Sequence, residues 1–170
     1  NWGEPVRARG LLFAPPKARD RLEYLLQKAT ELGVTHLFPI QTARSERKRM
    51  NTARAQAILV SAMKQSLRSR TPLLTDYQAL DEGFIQSQVH GIFDSKLVAH
   101  CHAERPQNLS INQIKAQSTV FAIGPEGDFD AIEVELLSSH GFEAVSLGSN
   151  RLRTETAAIY VLSAHHFAQL

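Results

Sequence analysis

Residues 121–157 read FAIGPEGDFDAIEVELLSSHGFEAVSLGSNRLRTETA. Two short apolar runs, Val120 to Ile123 and Ala144 to Leu147, each end in a glycine turn, Gly124-Pro125-Glu126-Gly127 and Gly148-Ser149-Asn150. Each reads as a buried strand that stops abruptly. Pro125 fixes its own φ, and Gly127 is expected to supply a positive φ that lets backbone approach a ligand closely. Asp130 and Glu133 form a D-x-x-E pattern, which predicts a capped helix after the first turn. Thr154 or Thr156 is expected to cap the last helix. A strand, a tight turn and a helix N-terminus are how an α/β sheet presents a small ligand at the C-terminal ends of its strands. Alone, GPEG is equally an ordinary turn. LRTETA is harder to reduce to structure, because an arginine, two threonines and a glutamate crowd a helix start where one cap suffices.

Working outward, Ala8 to Ala14 predicts a first strand. From Asp20 a helix carries Leu22, Leu25, Leu26, Ala29 and Leu32 on one face and stops at Gly33. Thr35 to Gln41 predicts the next strand, which delivers the chain to the basic run Thr42 to Arg49. A helix is expected over 51–69, with Ala55, Ile58, Leu59, Ala62, Met63 and Ser66 on one side and Lys64, Arg68 and Arg70 on the other. Residues 72–95 carry no clear pattern. Lys96 to Cys101 reads as a strand, His102 to Asn108 as a ligand-side loop and Leu109 to Gln117 as a helix. The alternation predicts one α/β domain over 1–170, with a mainly parallel sheet and helices on both faces.

Composition narrows the function classes. The 170 residues are 43% hydrophobic, enough for one sizeable core, and no Pro/Gly/Ser-rich linker divides them. Cys101 is the only cysteine, so no intramolecular disulfide forms and a reducing cytoplasm is the expected compartment. His165-His166 and His100-x-His102 lack the partners of a metal site, and no metal is expected. No apolar run approaches the ~20 residues of a membrane span. Charge is uneven. Arg44, Arg47, Lys48, Arg49, Arg54, Lys64, Arg68 and Arg70 face only Glu46 within residues 41–70, a local net of +7, whereas residues 121–170 carry −5. This suggests one side for a polyanion and another for a small ligand. The basic loop has no aromatic residue interleaved, which suits phosphates rather than stacked bases.

With IGPEG, SLG and LRTETA come QKATELGV (Gln27 to Val34), TARSER (Thr42 to Arg47) and KQSLRSRTP (Lys64 to Pro72). In this order the motifs resemble the RsmE family, small-subunit ribosomal RNA uridine N3-methyltransferases of the SPOUT class, over nearly the whole chain. Departures stand at Asp128, where many members have a second glycine, at Asn150, where many have an arginine, and at Lys64, where many have a glutamate. Arg151 is placed to substitute for the arginine missing at Asn150. The resemblance implies a C-terminal trefoil knot holding S-adenosylmethionine and a homodimer, the latter also suggested by a last helix apolar nearly all round. It further implies that the chain is the C-terminal part of a longer protein, preceded by a PUA-like RNA-binding barrel.

The implied donor-binding residues are Ala99 and His100; Ile123, Gly124, Pro125, Glu126 and Gly127; Leu147, Gly148, Arg151 and Leu152; and Thr154, Thr156 and Ala157. Arg153 is the expected cation for a uracil anion, with Glu155 orienting it or helping remove the proton. His100 invites a general-base reading because its ordinary pKa lies near neutrality, but the resemblance places it beside the methyl donor. Lys28, Arg44, Arg47, Lys48, Arg49, Gln65, Arg68 and Arg70 are the expected contacts to small-subunit ribosomal RNA, free or in an assembled particle. Two rivals share much of this pattern: a SPOUT methyltransferase acting on tRNA or on a ribose of ribosomal RNA, and a non-catalytic RNA-binding relative. A Rossmann dinucleotide enzyme fails for want of G-x-G-x-x-G after an early strand.

Overall fold

Leu11, Phe13, Phe121 and Ile123 face one side of a sheet, and Leu12, Val120 and Ala122 face the other; all are buried. Their strands therefore need cover on both faces, which is what continuous apolar runs encode. The computed structural model describes Pro5 and residues 7–100, 107–115 and 118–169. Among these the elements are β1 (Arg9–Phe13), α1 (Arg19–Glu31), β2 (His36–Gln41), α2 (Thr52–Gln65), β3 (Leu73–Leu74) and β4 (Gln78–Ala79). There follow α3 (Glu82–Phe84) with a π-helical turn (Ile85–Val89), β5 (Ser95–Ala99), β6 (Gln107–Asn108), α4 (Ile111–Ile114) and β7 (Thr119–Ile123). The last elements are α5 (Ala131–Ser139), β8 (Glu143–Ser146) and α6 (Thr154–Ala168).

The strand order is β3-β2-β1-β7-β5-β8-β6, with β4 also paired to β2, and the pairings among the described residues are parallel. The expected α/β domain with a mainly parallel sheet is what the chain forms. One face packs on α1, α2 and α6 through residues such as Leu25, Leu59, Val161 and Leu162. The other packs on the π-helical turn and α5 through Phe84, Ile85, Phe129 and Leu137. Pro39 lacks a donor, and it lies in β2 between the residues that pair with β3 and those that pair with β4, where the neighbouring strand is interrupted.

Helix ends follow local chemistry. Gly33 has φ +81; its N–H donates to the Thr30 carbonyl and that of Val34 to the Ala29 carbonyl, closing α1 with a left-handed cap. Asn51 caps α2 by accepting the Arg54 N–H. That helix ends at Gln65, short of the expected Ser69. Leu67 adopts φ +58 and Arg68 N–H turns back to the Met63 carbonyl, so the same cap geometry closes the helix without a glycine. The helix expected over 109–117 is shorter too, because Lys115 takes an extended backbone after Ile114.

Candidate functional site: a donor cleft at the strand ends

Because β5, β7 and β8 are parallel neighbours, their C-terminal ends meet at one edge of the sheet. A cleft of about 290 Å³ opens there, near the lower end of the ~300–1,000 Å³ usual for small-ligand sites. The end of β5 contributes Ala99 and His100, and β7 with its turn contributes Ile123, Gly124, Pro125 and Glu126. The turn after β8 adds Leu147, Gly148, Arg151 and Leu152, and α6 adds Thr154 and Ala157. These residues were expected together. The loop expected at 102–108 falls largely on residues 101–106, which lie outside the described residues.

Three hydrogen bonds hold the cleft's shape. Asp128 N–H donates to the Pro125 carbonyl at 2.9 Å and closes the first turn. Arg151 Nη2 donates to the Glu126 carbonyl at 2.9 Å, tying the turn after β8 to the turn after β7. Thr154 Oγ1 donates to the Gly124 carbonyl at 3.0 Å, fixing the head of α6 against the same turn.

Some expectations are corrected. The positive φ expected at Gly127 falls at Asp128, φ +65, whose Oδ1 accepts the Phe129 N–H at 2.8 Å. Gly127 is small for another reason: a Cβ there would lie 3.3 Å from Arg44 Cβ, and Arg44 Nη1 donates to the Gly127 carbonyl. It contacts the basic loop and is not in the cleft wall. Neither Thr154 nor Thr156 caps α6. Arg153 holds the cap position without a side-chain bond, Thr154 uses its hydroxyl on Gly124, and Thr156 is exposed outside the cleft wall. The D-x-x-E pattern does form the expected capping box, and Glu133 Oε1 also accepts the Ala43 N–H at 2.7 Å, so α5 anchors the basic loop.

Arg153 is exposed at the head of α6, between the cleft-lining Leu152 and Thr154. Glu155 does not reach it. That carboxylate is buried and faces Arg21, 3.7 Å away.

The expected RNA contacts divide. Arg44, Lys48, Arg49, Lys64, Gln65 and Arg70 are exposed. Arg47 donates to the carbonyls of Pro16 and Lys17, and Lys28 pairs with Glu31 at 2.8 Å while lying 6.0 Å from the Tyr24 ring centroid. Arg68 is the correction. It is 7% exposed, and its Nη1 donates to the carbonyls of Thr30 and Val34 at the end of α1. A guanidinium so placed cannot reach a phosphate. Arg9, also buried, donates to the Leu32 carbonyl beside it.

Ser149 and Asn150, expected as part of the turn after β8, also line the cleft, and so do three residues not expected as donor contacts: Asp128, Val145 and Ser146. Asp128 stood out only as a departure from the family pattern, and Val145 and Ser146 belong to the apolar run that leads into the turn. Among the described residues no group of His, Cys, Asp or Glu is placed to hold a metal ion, and no helix is long and apolar enough to cross a membrane.

A parallel α/β sheet whose strand ends carry a cleft of tight turns defines an α/β protein with a small-ligand site, and here an arginine-rich loop lies beside it. The chain belongs to the family of RNA methyltransferase domains, whose model matches residues 4–166. It is 32% identical over 168 residues to ribosomal RNA small subunit methyltransferase E of Mesomycoplasma hyopneumoniae, covering 94% of this chain and 70% of that protein. To the Bacillus subtilis protein of that name it is 32% identical over 157 residues, covering 85% of this chain and 60% of the relative. A crystal structure of a ribosomal RNA small subunit methyltransferase E from Neisseria gonorrhoeae bound to S-adenosyl methionine matches with a TM-score of 0.84 at 29% identity. That match covers 98% of this chain and 68% of the other. The chain therefore spans only part of its relatives' length. The resemblance read from the ordered motifs is borne out.

Proposed function

We propose that this chain transfers the methyl group of S-adenosylmethionine to N3 of one uridine in small-subunit ribosomal RNA. In this reading it is the catalytic part of a longer cytoplasmic protein that acts as a homodimer, on free RNA or an assembled particle. The observation that carries the proposal is the cleft: every expected donor residue except Gly127 and Thr156 lines it, although these residues come from three stretches separated by more than twenty residues each, 99–100, 123–126 and 147–157. The wall suits the donor. Ile123, Val145, Leu147 and Leu152 offer an apolar surface to an adenine, and the Gly124–Glu126 and Gly148–Ser149 backbones offer polar groups to the ribose and the amino-acid end.

When bound, S-adenosylmethionine supplies an electrophilic methyl on a sulfonium. The chain's own residues must position the uracil and stabilise its charge, because N3 becomes a nucleophile on losing its proton and negative charge then spreads to the ring oxygens. Arg153, exposed at the cleft's edge, supports the role of that cation. Glu155, turned toward Arg21, serves as a positioning residue that steadies the head of α6. The exposed Arg44, Lys48 and Arg49 draw the phosphate backbone to the same edge.

Saturating S-adenosylmethionine, at about a hundredfold over Kd, should stabilise the fold by roughly 2–3 kcal/mol. A melting temperature unmoved by millimolar donor, but raised by ATP or NAD, would overturn the assignment. Mapping the methylated atom in RNA treated with the full-length protein separates N3 of uracil from a ribose oxygen.

A further inference from the structure

We propose that the groove between α1 and α2 holds one unstacked base of the RNA strand that the basic loop binds, with a neighbouring phosphate on Arg19 and Arg54; the inference rests on the RNA reading above. The groove has a volume of about 250 Å³, below the ~300–1,000 Å³ of sites that enclose a whole small ligand. Its floor is apolar: Leu22, Leu26 and Ala55 are buried there, and Ile58 is half-buried. Its rim is charged. Arg19, Arg47 and Arg54 stand there against one carboxylate, Glu23, so an anion is drawn to a surface that also offers apolar cover.

One carboxylate oxygen holds the rim in order. Glu23 Oε1 accepts from Arg54 Nε at 2.7 Å and from Arg19 Nε at 2.9 Å. Both guanidiniums bond through Nε alone, so among the described residues their terminal nitrogens are left for another acceptor. A planar fork of N–H groups suits a phosphate. Position ties the groove to the RNA face. Arg47 belongs both to the basic loop and to the groove wall, and it donates to the carbonyls of Pro16 and Lys17. Lys17 N–H in turn donates to Glu126 of the donor cleft at 3.3 Å, and Arg44 of the same loop donates to Gly127. A strand that crosses the loop from the cleft therefore reaches Arg47 and then the groove. There an unstacked base finds apolar cover and guanidinium planes, the surroundings by which single-stranded RNA is held.

The test is binding of the full-length protein to small-subunit ribosomal RNA fragments that carry the methylated uridine, each with one abasic site at a different position. The parent is compared with Ile58→Asn and with Arg19→Ala and Arg54→Ala combined. In the parent, one abasic position other than the methylated uridine should weaken binding about fivefold. Ile58→Asn, which leaves the charge of the rim unchanged, should weaken the intact RNA to a similar degree and lose its sensitivity to that position, the coupling expected of groups in contact. The double arginine variant, whose changes are at the surface, should flatten the slope of log K against log salt by about 0.7 for each phosphate no longer held. An unchanged slope, or abasic effects that Ile58→Asn leaves as they were, overturns the proposal while a parent that still binds and methylates keeps the RNA reading. A variant that loses stability but not RNA affinity marks a groove covered by another part of the chain, and overturns it too. A parent that binds none of the fragments fails the RNA reading itself, and the proposal with it.

Discussion

Two groups of arginines sit at opposite ends of the sheet and make the same kind of bond, a guanidinium donating to backbone carbonyls. At the N-terminal end of β1, Arg9 and Arg68 close the end of α1 through Leu32, Thr30 and Val34. At the C-terminal ends, Arg44, Arg47 and Arg151 bond Gly127, Pro16, Lys17 and Glu126. Burial separates them. Arg9 and Arg68 are out of water, and burial, then repulsion from Arg68, lowers the pKa of Arg9 to about 10. Arg44 and Arg151 remain exposed, with donors left for a ligand. The first pair satisfies the orphan carbonyls and negative dipole end of a helix, whereas the second group ties loops together where a polyanion can still approach. A charge count does not distinguish them; access to water does.

That contrast can be broken experimentally. The largest effect is expected at the exposed end. In the full-length protein Arg153→Ala should lower kcat by roughly 10²–10³-fold with donor affinity little changed, and Arg153→Lys should recover only part of it. Single-turnover methylation at saturating donor and RNA measures this; a near-parental rate would make Arg153 structural. At the buried end, Arg68→Ala removes the guanidinium bonds to the carbonyls of Val34 and Thr30, the latter still accepting the Gly33 N–H, and should cost about 2 kcal/mol in urea unfolding, leaving donor affinity unchanged once folded. A loss of RNA affinity without a loss of stability would reverse the assignment of Arg68.

Smaller effects are expected at the basic loop and at the histidines. Replacing Arg44, Arg47 and Arg49 together by alanine should flatten the slope of log K for RNA against log salt by about 0.7 to 0.9 for each phosphate no longer neutralised. An unchanged slope removes this loop from the interface. The smallest effect concerns pH. His166 bonds Arg9 at the buried end, and burial, with Arg9 adding repulsion, lowers its pKa; burial alone lowers that of His36. The unfolded chain therefore takes up protons first as pH falls. Stability from both residues is complete above about pH 6.5 and declines below it through the lowered folded values. Urea midpoints at pH 7.5 and 5.5 should differ less when both histidines are changed to glutamine.

The strands and turns of the donor cleft were legible because they combine two local signals, a buried apolar run and a glycine turn, each visible within a few residues. Arg68 was not, because its inward turn depends on the left-handed Leu67 and on carbonyls of α1 more than thirty residues earlier in the chain. Thr154 misled for a similar reason. A threonine at a helix start predicts a cap, but a free carbonyl at Gly124 lay within reach across the cleft. Asp128 shows the limit in the other direction: the sequence marked it as unusual, while its backbone and burial had to be seen.

The bond from Thr154 to Gly124 also bears on how the protein is made. Thr154 and Ala157 lie after every strand of the sheet, yet both wall the cleft, and Thr154 clamps the turn that follows β7. Parallel strands of distant sequence already assemble slowly, and domains fold as units as the chain emerges from the ribosome. A nascent chain that has completed the sheet but not α6 therefore has no closed donor site. Occupancy by the donor begins only when translation has passed this helix, so the ligand can reward the finished fold but cannot template it.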